Sequence, residues 1–228
     1  MKADNKNIAR WRTRALIGLA AVVVIAAGIA TIVAVSGGDD ATSTDAPVYA
    51  FADPAQEVGT STLTRNDADV RMQFETDDLA ADETITMWWV VFNEPDACTD
   101  ACDTDDLFVD GDPAGELNAE QIEAADIVAA YAAGGVASSS GGIALSAALE
   151  ENESPGTREI IFGDEVALKD ADAAEIHFVA RSHGVAIPEL VEEQIGSFAG
   201  GCEVFLNPPD RPTGPGECAD VLFAVHLP

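Results

Sequence analysis

The chain has 228 residues, 47% of them hydrophobic, and sets 11 lysines and arginines against 41 aspartates and glutamates for a formal net charge of −30. That length suits one well-buried domain and leaves little for a second. So acidic a chain does not approach nucleic acid unaided, which excludes that class of partner.

The first fourteen residues hold Lys2, Lys6, Arg10, Arg12 and Arg14 against a single Asp4, and Ala15 to Val35 follow without one charged side chain. At 1.5 Å per residue this run is about 31 Å long, the thickness of a bilayer core. A cleavable signal peptide has an apolar stretch of roughly 7 to 15 residues. This one is longer, and it lacks a lipoprotein cysteine and a pair of adjacent arginines. The reading is a cytoplasmic basic arm at 1–14 and an uncleaved transmembrane signal anchor at 15–35. The positive-inside rule then places the rest of a single-pass chain outside the cell membrane. Secretion after cleavage is the alternative.

Charge divides at the same point. Up to Ser36 there are five basic residues and one acidic, net +4; beyond it there are six and forty, net −34. At 1 M salt, screening over about 3 Å removes most of the self-repulsion of such a surface. Halophilic adaptation, a surface that binds divalent cations, and a plain acidic secreted protein all fit.

Residues 36–58 are rich in Gly, Asp, Ser, Thr and Pro without hydrophobic periodicity and read as a flexible linker. The extracytoplasmic domain is then 59–228. "TSTLTR" and "DVRMQFET" read as strands, and "ETITMWWVVFNEP" is the strongest strand signal in the chain. Within it Trp88 and Trp89 face opposite ways, one into the core and the other over a seam. A long acidic loop follows. "AEQIEAADIVAAYAAGG" divides into a short helix to about Ala124 and a strand, with a Ser-Gly turn that suits a hairpin with "GIALSAALE". "EIIFG", "AEIHFVARSHG" and "CADVLFAVHLP" are further strands, and Leu190, Val191, Ile195 and Phe198 form a helical stripe between the last two. Seven or eight short strands with turns between them predict a mainly β fold, an antiparallel β-sandwich of Ig-like or Greek-key type with one or two short helices.

Four cysteines outside a membrane predict disulfides. Three pairings are possible, and the spacing favours the two local ones, Cys98 with Cys102 and Cys202 with Cys218. A zinc-thiolate site prefers two-residue spacings, which are absent.

On strand "AEIHFVARSHG", Glu175, His177, Arg181 and His183 share one face and Ile176, Phe178, Ala180 and Ser182 the other. His177, His183 and His226, with Glu175 or Asp220, are candidate ligands for zinc or copper. His177 and His183 lie about 20 Å apart along an extended strand, so His177 with His226 is the better pair. The alternative is a polar face of histidines hydrogen-bonded to carboxylates. "DTDDLFVDGD" offers oxygen ligands to calcium but breaks the EF-hand pattern, with Phe108 in the third place and Leu117 in the twelfth when Asp106 is first. "ASSSG" has Ala137 where a nucleophile elbow has glycine.

Together "TMWWVVFNEPDACTDAC", "AEIHFVARSHG", "EQIGSFAGGC" and "CADVLFAVH" resemble an uncharacterised family of exported or membrane-anchored bacterial proteins, over roughly Gly59 to Pro228. The resemblance implies a shared fold and export and supplies no activity. Ala174, Glu175, Ile176 and His177 are also similar to the A-x-I-H of the chordin-repeat domain, with Glu175 where that domain often has another histidine. The functional expectation is a surface module that binds a cell-surface protein or ligand through an exposed apolar patch such as one face of Trp88 or Trp89, or that has a structural role. The alternative is a histidine-dependent metal or redox protein.

Overall fold

The computed structural model describes residues 41–99, 101–111, 115–206 and 212–228. The arm at 1–14 and the anchor at 15–35 lie outside the described residues. Among the described residues no helix is long and apolar enough to cross a membrane.

The protein is mainly β. Ten strands form one sheet: β1 (Thr42–Ala50), β2 (Asp53–Arg65), β3 (Asp69–Thr76), β4 (Glu83–Phe92), β5 (Ile127–Val136), β6 (Ile143–Glu150), β7 (Ile160–Phe162), β8 (Glu175–Val185), β9 (Val204–Phe205) and β10 (Glu217–His226). Among the described residues three short α-helices, α1 (Thr104–Leu107), α2 (Ala119–Ala124) and α3 (Val191–Gln194), lie in the excursions between them. The order is β6-β3-β2-β1-β10-β8-β4-β5-β7, with β9 added to β10. Every pairing is antiparallel except β9 with β10.

Two expectations need correction. Residues 36–58 are not a linker throughout, because β1 and the first part of β2 fall within them and β1 pairs with both β2 and β10. Val48 and Tyr49 are buried. The predicted β5–β6 hairpin is also not formed, since β6 pairs along its whole length with β3, from Asp69 opposite Glu150 to Thr76 opposite Ile143.

The strands expected to form two sheets of a sandwich belong to one curled sheet. Its inner face encloses Leu63, Met72, Phe74, Ile85, Met87, Trp89, Val91, Ile176, Phe178 and Leu222 in a single core. The ends of the sheet meet where β6 folds back against β5. There a methyl group placed on Gly135 would touch Leu145 at 3.1 Å and Ile143 at 3.3 Å, so glycine permits the approach. Arg158 bridges this seam, which lacks a strand ladder, by donating to Tyr131 O of β5 at 2.9 Å and Ala148 O of β6 at 3.3 Å while paired with Glu153. Charge-assisted hydrogen bonds are worth about 1.5–3 kcal/mol each, less where water reaches them. Arg158→Met is therefore expected to cost about 2 kcal/mol by urea denaturation and to raise amide exchange locally in β5 and β6; an unchanged midpoint would remove Arg158 from this role.

The outer face of the sheet is covered unevenly. Strand β4 is buried at every position because two excursions cross it. Residues 94–126 pack over Val90, Phe92, Ile127 and Ala129 with Cys98, Cys102 and Ile122, and Phe198, from the excursion after β8, packs on Trp88. Each excursion carries one of the predicted disulfides, Cys98–Cys102 and Cys202–Cys218. The outer faces of β2, β3 and β6 stay open, with exposed Thr60, Arg71, Gln73, Ser146 and Ala148 along shallow grooves.

Candidate functional site

The face assignment on β8 holds. Ile176, Phe178 and Ala180 point into the inner core, whereas His177 lies against Phe92 of the outer cluster, ring centroids 4.8 Å apart. The register with β10 then decides the fate of the histidines. His226 stands opposite Ile176, and His177 opposite Val225. Residues directly opposite share a face, so the offset of one residue sends His226 inward and His177 outward.

The four candidate ligands consequently fall into three separate environments, with His177 and Glu175 sharing one. His177 Nε2 is 2.7 Å from Glu175 Oε1. His226 sits inside, with Nε2 2.8 Å from Ser61 Oγ and Nδ1 3.2 Å from Thr44 Oγ1. Burial first, then the nearby Arg65 guanidinium and His177, push its pKa down to about 3 against the weaker opposing pull of Asp45. His183 is at the far end of β8, buried beneath the second excursion. Among the described residues, the one group of three metal-ligating side chains that converges is His183 with Cys202 and Cys218, and it includes neither Glu175, His177 nor His226.

His183 ends a defined hydrogen-bond chain. Trp88 Nε1 donates to Thr86 Oγ1 at 2.9 Å, Thr86 Oγ1 lies 2.8 Å from His183 Nε2, and His183 Nδ1 lies 2.8 Å from Gly200 O. A carbonyl only accepts, so Nδ1 carries the proton and Nε2 accepts from Thr86. The ring is neutral. Burial pulls its pKa down to about 4, helped by Arg181 and opposed by the bond to Gly200 O. Cys202 Sγ and Cys218 Sγ are 3.4 and 3.6 Å from Nδ1.

No family model, curated protein or solved structure matches this chain. Its site is therefore read from its own geometry.

Both tryptophans are buried, Trp88 at 2% exposure and Trp89 at 0%, so neither offers a docking face. Trp89 lies in the inner core, and Trp88 on the outer face between Tyr131 and Phe198, edge to face with both. An exposed apolar pair lies nearby instead, beyond Phe198. Val204 and Phe205 of β9 are 49% and 56% exposed. The Arg181 guanidinium lies 4.0 Å from the Phe198 ring centroid and 5.0 Å from that of Phe205, and pairs with Asp220 at 2.6 Å. Cation–π contact and the Cys202–Cys218 bridge thus fix an aromatic knob on an acidic surface. Sequence reasoning placed Arg181 on the polar face of the strand but had no signal for the rings, since "CEVFLNPP" is too short to read as a strand.

The carboxylates of the acidic loop are partly committed to local structure. Asp103 and Asp106 form a capping box at α1, Asp103 accepting from Asp105 N at 2.7 Å and Asp106 from Asp103 N at 3.0 Å. Burial raises the Asp103 pKa. Ser182, next to His183, is buried and hydrogen-bonded to Glu83 and Thr213. The "ASSSG" serines form a turn in which Ser138 Oγ accepts from Gly142 N at 3.1 Å, with no histidine among their partners.

Proposed function

We propose that this chain is a single-pass membrane protein anchored by residues 15–35, whose acidic β domain lies outside the cell and serves as a binding or structural surface module. The observation that carries the binding role is the Val204–Phe205 knob, an exposed apolar pair held in place by Arg181 and a disulfide. Preorganised aromatic anchors of this kind give interfaces much of their energy, because little side-chain freedom remains to be lost on binding. Export is supported by the two disulfides, which leave no free cysteine and persist in oxidising compartments. The resemblance to exported or membrane-anchored bacterial proteins agrees with it.

The test uses the full chain in intact cells, with a photo-crosslinking residue at position 205 and, as control, at Thr62 on the open face of β2. The expected outcome has three parts: retention in the membrane on alkaline extraction, cleavage of the β domain by external protease with 1–14 protected, and a discrete adduct from position 205 absent from position 62. Release by alkali would overturn the anchor. Identical crosslinking from both positions would overturn the knob as the binding element.

A further inference from the structure

The Cys202–Cys218 bridge lies against a histidine that offers it a nitrogen. His183 Nδ1 and the two sulfurs all lie within 4.8 Å of one another. Zinc binds cysteine sulfur at about 2.3 Å and histidine nitrogen at about 2.0–2.1 Å, so tetrahedral ligand atoms stand roughly 3.5–3.8 Å apart. The observed nitrogen-to-sulfur distances of 3.4 and 3.6 Å already match the edges of that tetrahedron. The sulfurs have to separate, and the Gly200 carbonyl, 2.8 Å from Nδ1, has to turn away to free the nitrogen. Cys218 is fully buried in β10, whereas Cys202 is half-buried in the turn after Gly200 and Gly201, so Cys202 is the ligand with room to move.

We propose that a dithiol reductant converts this corner into a zinc(II) site made of Cys202, Cys218 and His183, with the fourth position open to water on the Cys202 side. A thiolate of the reductant attacks Cys202 Sγ, the bond between the sulfurs breaks, and its electron pair leaves on Cys218 Sγ. The second thiolate of the reductant then displaces Cys202 and closes the reductant's own disulfide. Two electrons and two protons have passed to the protein, giving two thiols. Zinc displaces those two protons. On the imidazole the proton moves from Nδ1 to Nε2, where it is donated to Thr86 Oγ1, so the Thr86 contact survives with its direction reversed. Thr86, itself receiving a hydrogen bond from Trp88 Nε1, becomes the outer partner that orients the ligating ring. The site would be absent from the oxidised protein and appear only on reduction, whichever compartment the domain occupies.

The test uses the full chain in detergent carrying Cys98→Ser and Cys102→Ser, which leaves Cys202 and Cys218 as its only cysteines. It is reduced with a phosphine, desalted without oxygen and titrated with cobalt(II). The expected result is one equivalent bound with thiolate charge-transfer bands and the strong visible bands of tetrahedral cobalt, displaced by zinc and absent without reduction. His183→Gln is expected to weaken binding by more than the roughly 10–100-fold that loss of an outer partner alone costs. Cys202→Ser, at the half-buried position, is expected to do the same without disturbing the packing of the ring. Absence of thiolate bands in a reduced, folded protein would overturn the proposal, as would binding indifferent to both variants. A reduced chain that unfolds and does not regain its melting transition with zinc would overturn it equally.

Discussion

A chain shortened to residues 59–228 is expected not to fold, although composition places the domain boundary there. The cut removes β1 and the first part of β2. Among the described strands β1 alone links β2 to β10, through Tyr49 and Ala50 opposite Phe223 and Leu222, so its loss breaks the sheet and leaves the edge of β2 unpaired, a template for aggregation. It also removes Val48 and Tyr49, both buried, at about 1.5–3 kcal/mol per large apolar side chain. Set against a total stability of roughly 5–15 kcal/mol for a domain, these losses leave no stable monomer. The comparison is with 41–228, which keeps every described strand and is expected to unfold cooperatively in urea. A cooperative transition for 59–228, within about 1 kcal/mol of the longer chain, would show that β1 is dispensable.

Acidification below pH 6.5 is expected to destabilise the domain steeply. His183 and His226 have folded-state pKa values near 4 and 3, below the ordinary 6.5. Between 6.5 and those values the unfolded chain binds protons that the folded chain refuses, so stability rises with pH there and is lost as pH falls. Above 6.5 both rings are neutral in either state and the contribution is constant. With both sites active the slope approaches two protons, on the order of 2–3 kcal/mol per pH unit between pH 6 and 5. By pH 4.5 the loss is comparable with the stability of the whole domain. The histidine window is read above pH 5. Urea midpoints across pH 5 to 7 in high salt measure it. His226→Asn, which removes one titrating group, is expected to halve the slope, and a flat profile in the parent protein would contradict the buried neutral state of both rings.

Strands β3, β4, β8 and β10 were legible because their alternation is strong and their residues favour strands. The division of 119–136 into α2 and β5 followed from helix-favouring alanines set against a Gly-Gly and Ser-Gly turn, and it stands although the hairpin that the turn suggested is not formed. Strand β1 was hidden because Thr42 to Pro47 carries no large apolar side chain, and Asp45 and Pro47 argue against a strand. It pairs along its length with β2, and its contact with β10 is 172 residues further on, from Ala50 to Leu222, which no local signal reports. The local disulfides were readable from spacing alone. Whether the histidines meet was not, because one residue of register between β8 and β10 decides it. The corner formed by His183 and the second bridge escaped for the same reason, since it needs the end of β8, the turn after Phe198 and the start of β10 in one place.

The position of β10 bears on how the chain is made. It lies between β1 and β8, and without it the strands fall into two ladders, β6-β3-β2-β1 and β8-β4-β5-β7. Since β10 is Glu217–His226, the nine strands before it have been made before the sheet can become continuous. Stable structure therefore waits for contacts of high sequence separation, which are slow to form. Until β10 emerges, the two open ladders need a chaperone to keep them from pairing with those of a neighbour.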